Sequence, residues 1–215
     1  MSETQKRPLI KIFTVGELAT NCYVITCPTT RETVIIDPGD GAEMISEYCL
    51  TEQLQVTGIL LTHGHFDHCL GLLELSLNFN CPSYLHKADL FLIGEAQKSA
   101  EFWLKHPVDP VPLPTTLFEA PEEIPIGLFS ASVIRTSGHT PGSVCYLISE
   151  TATRNLVALC SGDTLFADSI GRTDLSYSSK KDLFSSLETL KKLPAFLLLY
   201  PGHGQPTFLS QTPLY

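Results

Sequence analysis

A chain of 215 residues, 43% hydrophobic and 17% charged, has the length and composition of a globular protein with a buried core, which excludes a disordered chain, a collagen and a long coiled coil. The formal net charge of -9 argues against a broad basic face for nucleic acid, and no apolar run approaches the ~20 residues of a membrane span. Seven cysteines, an odd number without a CxxC pair, read as free thiols of a reducing compartment, so the expectation is a cytoplasmic protein with neither a membrane nor a nucleic-acid partner.

The opening, MSETQKRPLIKIF, passes from polar residues into alternation with no apolar signal core, so export by that route is not expected. Strands are predicted over Leu9 to Val15, Asn21 to Cys27 and Thr33 to Asp37, the last ending at the turn former Pro38-Gly39. A helix to about Leu50, a buried strand Gly58 to Leu61, a histidine-rich loop and an apolar helix through Leu77 follow. A short strand at Pro82 to His86 then leads into a helix from about Lys87 to Leu104. Residues 106 to 125 carry six prolines and no periodicity, which reads as a loop or lid. Strands are predicted again over Leu128 to Thr136, Ser143 to Ser149 and Leu156 to Ser161, then a helix from Lys180 to Leu193 and a strand from Ala195 to Tyr200. The order suits an α+β protein, an αββα sandwich of two mixed sheets flanked by helices, in a single domain over 1–215.

Five of the seven histidines fall in three short motifs: THGHFDH at 62–68, SGHTPGS at 137–143 and PGHG at 201–204. Side chains at i and i+2 of an extended segment share a face, so His63 and His65 can grip one ion together. Asp67 and His68 fall at the start of the next helix and point to a second ion. His139 and His203 each follow a strand, and Asp163 follows the buried strand LVALCSG with two oxygens that can bridge. Five imidazoles and two carboxylates divide as three ligands per ion with Asp163 shared. That donor set suits zinc, iron or manganese rather than calcium or magnesium, with zinc the first expectation. His86 and His106 have no partner motif and read as structural.

These residues resemble the metallo-β-lactamase superfamily, whose H-x-H-x-D-H signature stands here as His63, His65, Asp67 and His68. TVIIDPGD, SGHTPGS, SGDTLF and PGHG follow in the order used there. The Asp at 163 and the SGDTLF and GRTD words look most like hydroxyacylglutathione hydrolases (glyoxalase II), in a short form without their C-terminal helical domain. The resemblance implies His63, His65 and His139 on one ion, Asp67, His68 and His203 on the other, and Asp163 between them. It implies hydrolysis of a small-molecule thioester such as S-lactoylglutathione by water activated between the ions, with Asp67 also orienting the attacking oxygen. Asp37 would be a buried carboxylate beside the ligand loops; a turn-forming Asp before Pro38 is the plainer alternative.

Arg172 falls where those hydrolases place a basic glutathione contact, although Asp174 stands where they often have Tyr, and a solvated or structural arginine remains the alternative. The true β-lactamases usually carry Cys where Asp163 stands, which disfavours antibiotic hydrolysis. The competing reading is a mononuclear iron persulfide dioxygenase of the same superfamily, with one ion on His63, His139 and Asp163. The PGHGQPT ending, with His203 as a ligand, looks more like the hydrolase side.

Overall fold

The computed structural model describes residues 7–120 and 122–215; the polar opening at 1–6 and Pro121 in the proline-rich stretch lie outside the described residues. β1 (Leu9–Val15) and β2 (Thr20–Thr26) form a hairpin, and β3 (Glu32–Ile36) pairs antiparallel with β2. After α1 (Ala42–Thr51), β4 (Gln55–Leu60) joins β3 in parallel. The short α2 (Phe66–Cys69) and α3 (Leu72–Phe79) lead to β5 (Ser83–His86), α4 (Leu90–Leu104) and β6 (Thr116–Phe118), completing a six-stranded sheet in the order β1-β2-β3-β4-β5-β6. The second sheet has the order β12-β11-β10-β9-β8-β7. Its strands are β7 (Glu123–Ile126), β8 (Phe129–Arg135), β9 (Val144–Glu150), β10 (Leu156–Gly162), β11 (Leu198–Pro201) and β12 (Thr207–Phe208), with α5 (Lys180–Leu190) between β10 and β11.

Strand alternation sorts the apolar residues into layers. Val34, Ile36, Leu60, Tyr23 and Ile25 face Val133, Tyr146, Ile148 and Cys160 across the gap between the sheets. Ile35 and Ile59, on the other face of the first sheet, pack with Ile45, Leu72, Leu75 and Ala96 of the helices. Leu159 and Leu199 do the same against Leu183, Leu187 and Leu190 of α5. The run Val34-Ile35-Ile36 is therefore apolar at every position because both faces of its strand are covered. This is the αββα sandwich that the element order suggests. Among the described residues no helix is long and apolar enough to cross a membrane.

The expected loop over 106–125 needs correction, since β6 and the start of β7 lie within it. Each is an edge strand, β6 pairing only β5 and β7 only β8. An edge tolerates the prolines that hide the pattern, Pro125 sitting in β7 opposite Ser130. The helix expected from Lys87 begins with one 3₁₀ turn, Lys87–Asp89, before α4. The last predicted strand starts three residues later, at Leu198, and the two-residue β12 has too little pattern to be read.

Strands β3, β4, β8, β10 and β11 run to the same end of the sandwich, where bonds cross between the sheets. Val144 N–H donates to the Thr62 carbonyl at 2.9 Å, the Tyr146 hydroxyl to the Leu61 carbonyl at 2.9 Å, and Asn21 N–H to the Gly202 carbonyl at 2.7 Å.

All seven cysteines are free, six of them buried and Cys81 half-buried. Burial holds the Cys145 thiol up at about 12 and Cys49 at about 11, and raises Cys22, Cys69, Cys81 and Cys160 as well. Cys27 alone is lowered, its burial outweighed by hydrogen bonds from Leu128 N–H and the Thr29-Thr30 turn. A thiol reagent should therefore find at most Cys81 and Cys27 promptly in the native protein and seven thiols after denaturation without reductant; fewer than seven would reveal a disulfide.

Candidate metal centre

The three histidine motifs meet at that end of the sandwich. The loop after β4 places His63 and His65, α2 carries Asp67 and His68, the loop after β8 carries His139, and the ends of β10 and β11 bring Asp163 and His203. His65 Nδ1 lies 3.0 Å from His63 Nε2 and 3.1 Å from His139 Nε2, so three ring nitrogens converge. Asp67 Oδ2 lies 3.4 Å from both His68 Nε2 and His203 Nε2, a second convergence. Asp163 faces both: Oδ1 is 3.4 Å from His68 Nε2, and Oδ2 is 3.7 Å from His139 Nε2 and 3.6 Å from His203 Nε2. The seven residues expected to hold metal thus stand together.

Each of the five rings is tied on its outward side. His68 Nδ1 donates to Asp37 Oδ2 at 3.0 Å, His139 Nδ1 to the Arg172 carbonyl at 3.1 Å, and His203 Nδ1 to the Leu18 carbonyl at 3.1 Å. His63 Nδ1 donates to Thr62 Oγ1 at 3.0 Å, whose own proton goes to Asp37 Oδ2 at 2.6 Å, and His65 Nε2 pairs with the Tyr177 hydroxyl at 2.8 Å. Carbonyls and carboxylates only accept, so those holding His68, His139 and His203 fix a proton on the outer nitrogen. Five inward ring nitrogens beside two carboxylates form a cation-binding donor set, with outer partners of the kind that orient metal ligands.

The burial pattern agrees. His63, His68 and His139 are almost wholly buried, and among the described residues His68 Nε2 and Asp163 Oδ1 are buried without a hydrogen-bond partner. Leaving such groups unpaired is costly, and an ion between them removes the cost. Burial, reinforced by its imidazole neighbours, holds His63 well below its ordinary range, and His65 is down at about 3. Burial also opposes the His68 imidazolium, yet Asp67, Asp163 and Asp37 outweigh it and push this ring up to about 10; His203 is raised in the same way, against its burial, by Asp67 and Asp163. A proton on His68 answers the same negative field that would attract a cation.

Asp37 is buried with φ 51°, and its carboxylate is engaged by Thr62 N–H at 2.8 Å, the Thr62 hydroxyl and His68. It braces the ring of His68 rather than facing the convergence. Arg172 offers its carbonyl to His139, while its exposed guanidinium forms a two-pronged pair with Asp174 at 2.7 and 2.8 Å. His86 caps the turn before α4, accepting from Ala88 N–H, and His106 lies at the surface 3.7 Å from Glu17; both stand outside the cluster.

Sequence reasoning missed Thr20, which donates to Asp67 Oδ2 at 2.9 Å, together with Tyr177, whose ring rests against Phe91, and the buried Asp89. Thr20 and Asp89 lie outside the histidine motifs, and Tyr177 sits in a polar loop. Only Tyr177, a lone aromatic in the stretch SYSSKKD after GRTD, offered a signal.

The Metallo-beta-lactamase superfamily profile matches residues 15–203. The chain is 34% identical to a probable metallo-hydrolase, YqgX of Bacillus subtilis, over 90% of this chain and 89% of that one. It is 31% identical to a hydroxyacylglutathione hydrolase, GloC of Haemophilus influenzae, over 94% and 93%. Among solved structures it is similar to the B3 metallo-beta-lactamase BLEG-1, with a TM-score of 0.83 and 33% identity over 94% of this chain and 95% of that one. It is also similar to a protein solved in a di-iron-bound form, with a TM-score of 0.80 and 33% identity over 95% and 100%.

The pKa directions set a pH dependence. His68 is raised by folding, so its contribution to metal-free stability is complete below ~6.5 and is lost as pH rises through about 10. His65, lowered to about 3, works the other way: its contribution is present above ~6.5 and is lost as pH falls toward 3. Thermal melts of chelator-treated protein should therefore give a falling Tm between pH 7 and 10, and metal-loaded protein should lack that fall because a cation replaces the His68 proton. Parallel curves would show that no cation occupies this position.

Proposed function

The chain belongs to the metallo-beta-lactamase superfamily, and on that premise we propose that it is a dinuclear metal-dependent hydrolase of small thioesters, acting on substrates of the S-lactoylglutathione type. The observation that carries the reading is the position of Asp163, one carboxylate turned toward both convergences of ring nitrogens. In this reading His63, His65 and His139 hold one divalent ion, Asp67, His68 and His203 hold the other, and Asp163 is shared. Zinc and iron both suit the donors, and the di-iron-bound relative supports a pair of ions.

When bound, such ions polarise a carbonyl oxygen and lower the pKa of water toward ~7. The chain supplies the remaining requirements. Thr20 fixes Asp67 by donating to Oδ2, and the second carboxylate oxygen of Asp67 would be the one to orient an attacking water. The leaving thiol has a parent pKa near ~8.5, so its departure requires no strong acid, and none stands in the cluster. A cleft of about 450 Å³ lined by Phe166, Asp168, Ser169, Gln205 and His203 receives one arm of the substrate. Tyr177 and Phe91 wall the opposite flank.

The similarity to GloC supports a thioester of glutathione, and the net charge of -9 supports a small-molecule substrate over nucleic acid. The convergence of Asp67, His68 and His203 favours two ions over the single iron of a persulfide dioxygenase.

Metal analysis combined with turnover of S-lactoylglutathione tests the reading. The wild type should carry two ions and hydrolyse the thioester, whereas Asp163→Ala should hold fewer than two and lose most turnover. One iron with consumption of glutathione persulfide would replace the hydrolase by the dioxygenase. Asp174 neutralises Arg172, so Asp174→Ala should raise kcat/KM for S-lactoylglutathione by up to about fivefold, as expected of an exposed ion pair, and leave a lactoyl thioester of an uncharged thiol unchanged. Equal effects on both thioesters would separate Arg172 from the substrate.

A further inference from the structure

Asp89 is fully buried, although it stands at the end of the 3₁₀ turn before α4 and outside every histidine motif. Its Oδ2 accepts Gly64 N–H at 3.0 Å and the Thr140 hydroxyl at 2.6 Å, and its Oδ1 accepts Gly142 N–H at 2.6 Å. Gly64 lies between His63 and His65, and Thr140 and Gly142 follow His139. One carboxylate thus ties together the two loops that carry all three histidines of the first convergence. The two loops descend from different sheets, His63 and His65 from β4 and His139 from β8; the Val144 N–H to Thr62 carbonyl bond joins their bases, and Asp89 joins them beside the histidines themselves.

The packing is close on both sides. A Cβ on Gly142 would lie 2.6 Å from Asp89 Cγ, and a Cβ on Gly64 would lie 2.9 Å from both the Asp89 carbonyl oxygen and Leu92 Cβ. Each position admits only glycine while Asp89 stays where it is. The second convergence is braced differently, since Asp37 holds His68 directly and reaches His63 only through Thr62, Thr20 holds Asp67, and none of the bonds of Asp89 reaches Asp67, His68 or His203. The first convergence also contains three imidazoles and no carboxylate of its own beyond the shared Asp163, so the buried charge of Asp89 beneath it counters the charge of an ion held there.

We propose that Asp89 is the positioning residue of the three-histidine site: it sets the spacing between the 63–65 and 139–142 loops, so that affinity for the ion held by His63, His65 and His139 depends on it and affinity for the other ion does not. The proposal rests on the two-ion reading above. It deepens that reading by making the two ions separable.

Titration of the metal-free protein with Zn²⁺, followed by calorimetry and by metal analysis after gel filtration, decides it without reference to turnover. In Asp89→Asn, which keeps the shape but turns an amide N–H toward Gly142 N–H, one ion should bind about 10-fold more weakly, the low end of the range for direct outer partners of metal ligands, because Asp89 acts on the loops rather than on the rings. The other should bind as in the wild type. Thr140→Val, which removes a single donor and leaves Asp89 in place, should weaken the same ion by less. Adding His203→Ala to Asp89→Asn should remove the remaining tight ion, and adding His65→Ala should leave it. With Co²⁺, the absorption bands of one site alone should change. Equal weakening of both ions, or unchanged binding of both with only a lower Tm, would show Asp89 to be a fold residue and overturn the proposal. A wild type that binds fewer than two ions would instead remove the two-ion reading, and the proposal would fall with it.

Discussion

Five imidazole rings crowd around Asp67 and Asp163 with their inner nitrogens turned toward one another, in a place where His63, His68 and His139 have lost almost all contact with water. Such an arrangement is unfavourable by itself, because buried acceptors without donors are expensive. It persists because the outer nitrogen of every ring is held by a group elsewhere in the fold. The rest of the molecule can be understood as the scaffold that holds those outer partners in place.

Strand ends are suited to that task. A strand fixes the backbone up to its last residue, and the loop after it can turn a side chain into the gap between the sheets. β4 delivers His63, β10 delivers Asp163, and β11 delivers His203, each from a sheet whose two faces are buried. Contacts between the sheets at this end, from Val144 to Thr62 and from Asn21 to Gly202, keep the contributions of the two halves in register. Displacement of one sheet relative to the other would therefore be felt first at the cluster.

The braces are divided between the two convergences of donors. Thr20 serves the side of Asp67 and His68, Asp89, Tyr177 and the carbonyl of Arg172 serve the side of His65 and His139, and Asp37 reaches both, holding His68 directly and His63 through Thr62. The loop from Asp163 to Tyr177 contributes on both flanks, since Phe166 lines the cleft beside His203 and Tyr177 reaches His65. One loop can thus shape substrate selection while the ligands themselves stay on the strands and on α2.

The seven residues of the cluster are legible in the sequence because each sits in a short motif directly after a strand or at the first turn of a helix, where spacing fixes the face. The two-sheet architecture is legible for a similar reason: buried strands such as VII at 34–36 and LLL at 197–199 declare themselves by composition. The edge strands β6 and β7 were hidden by prolines, which an edge accepts because one side of its ladder is unpaired. The outer partners were decided by the tertiary structure alone. The carbonyls of Leu18 and Arg172 are backbone groups that any residue would supply, and Asp89 and Thr20 carry no periodicity that ties them to partners 25 to 53 positions away. Ligand chemistry is thus written locally, in residue type and spacing. The geometry that makes the ligands act together comes from contacts between distant segments, which only the packed sandwich brings within hydrogen-bonding distance.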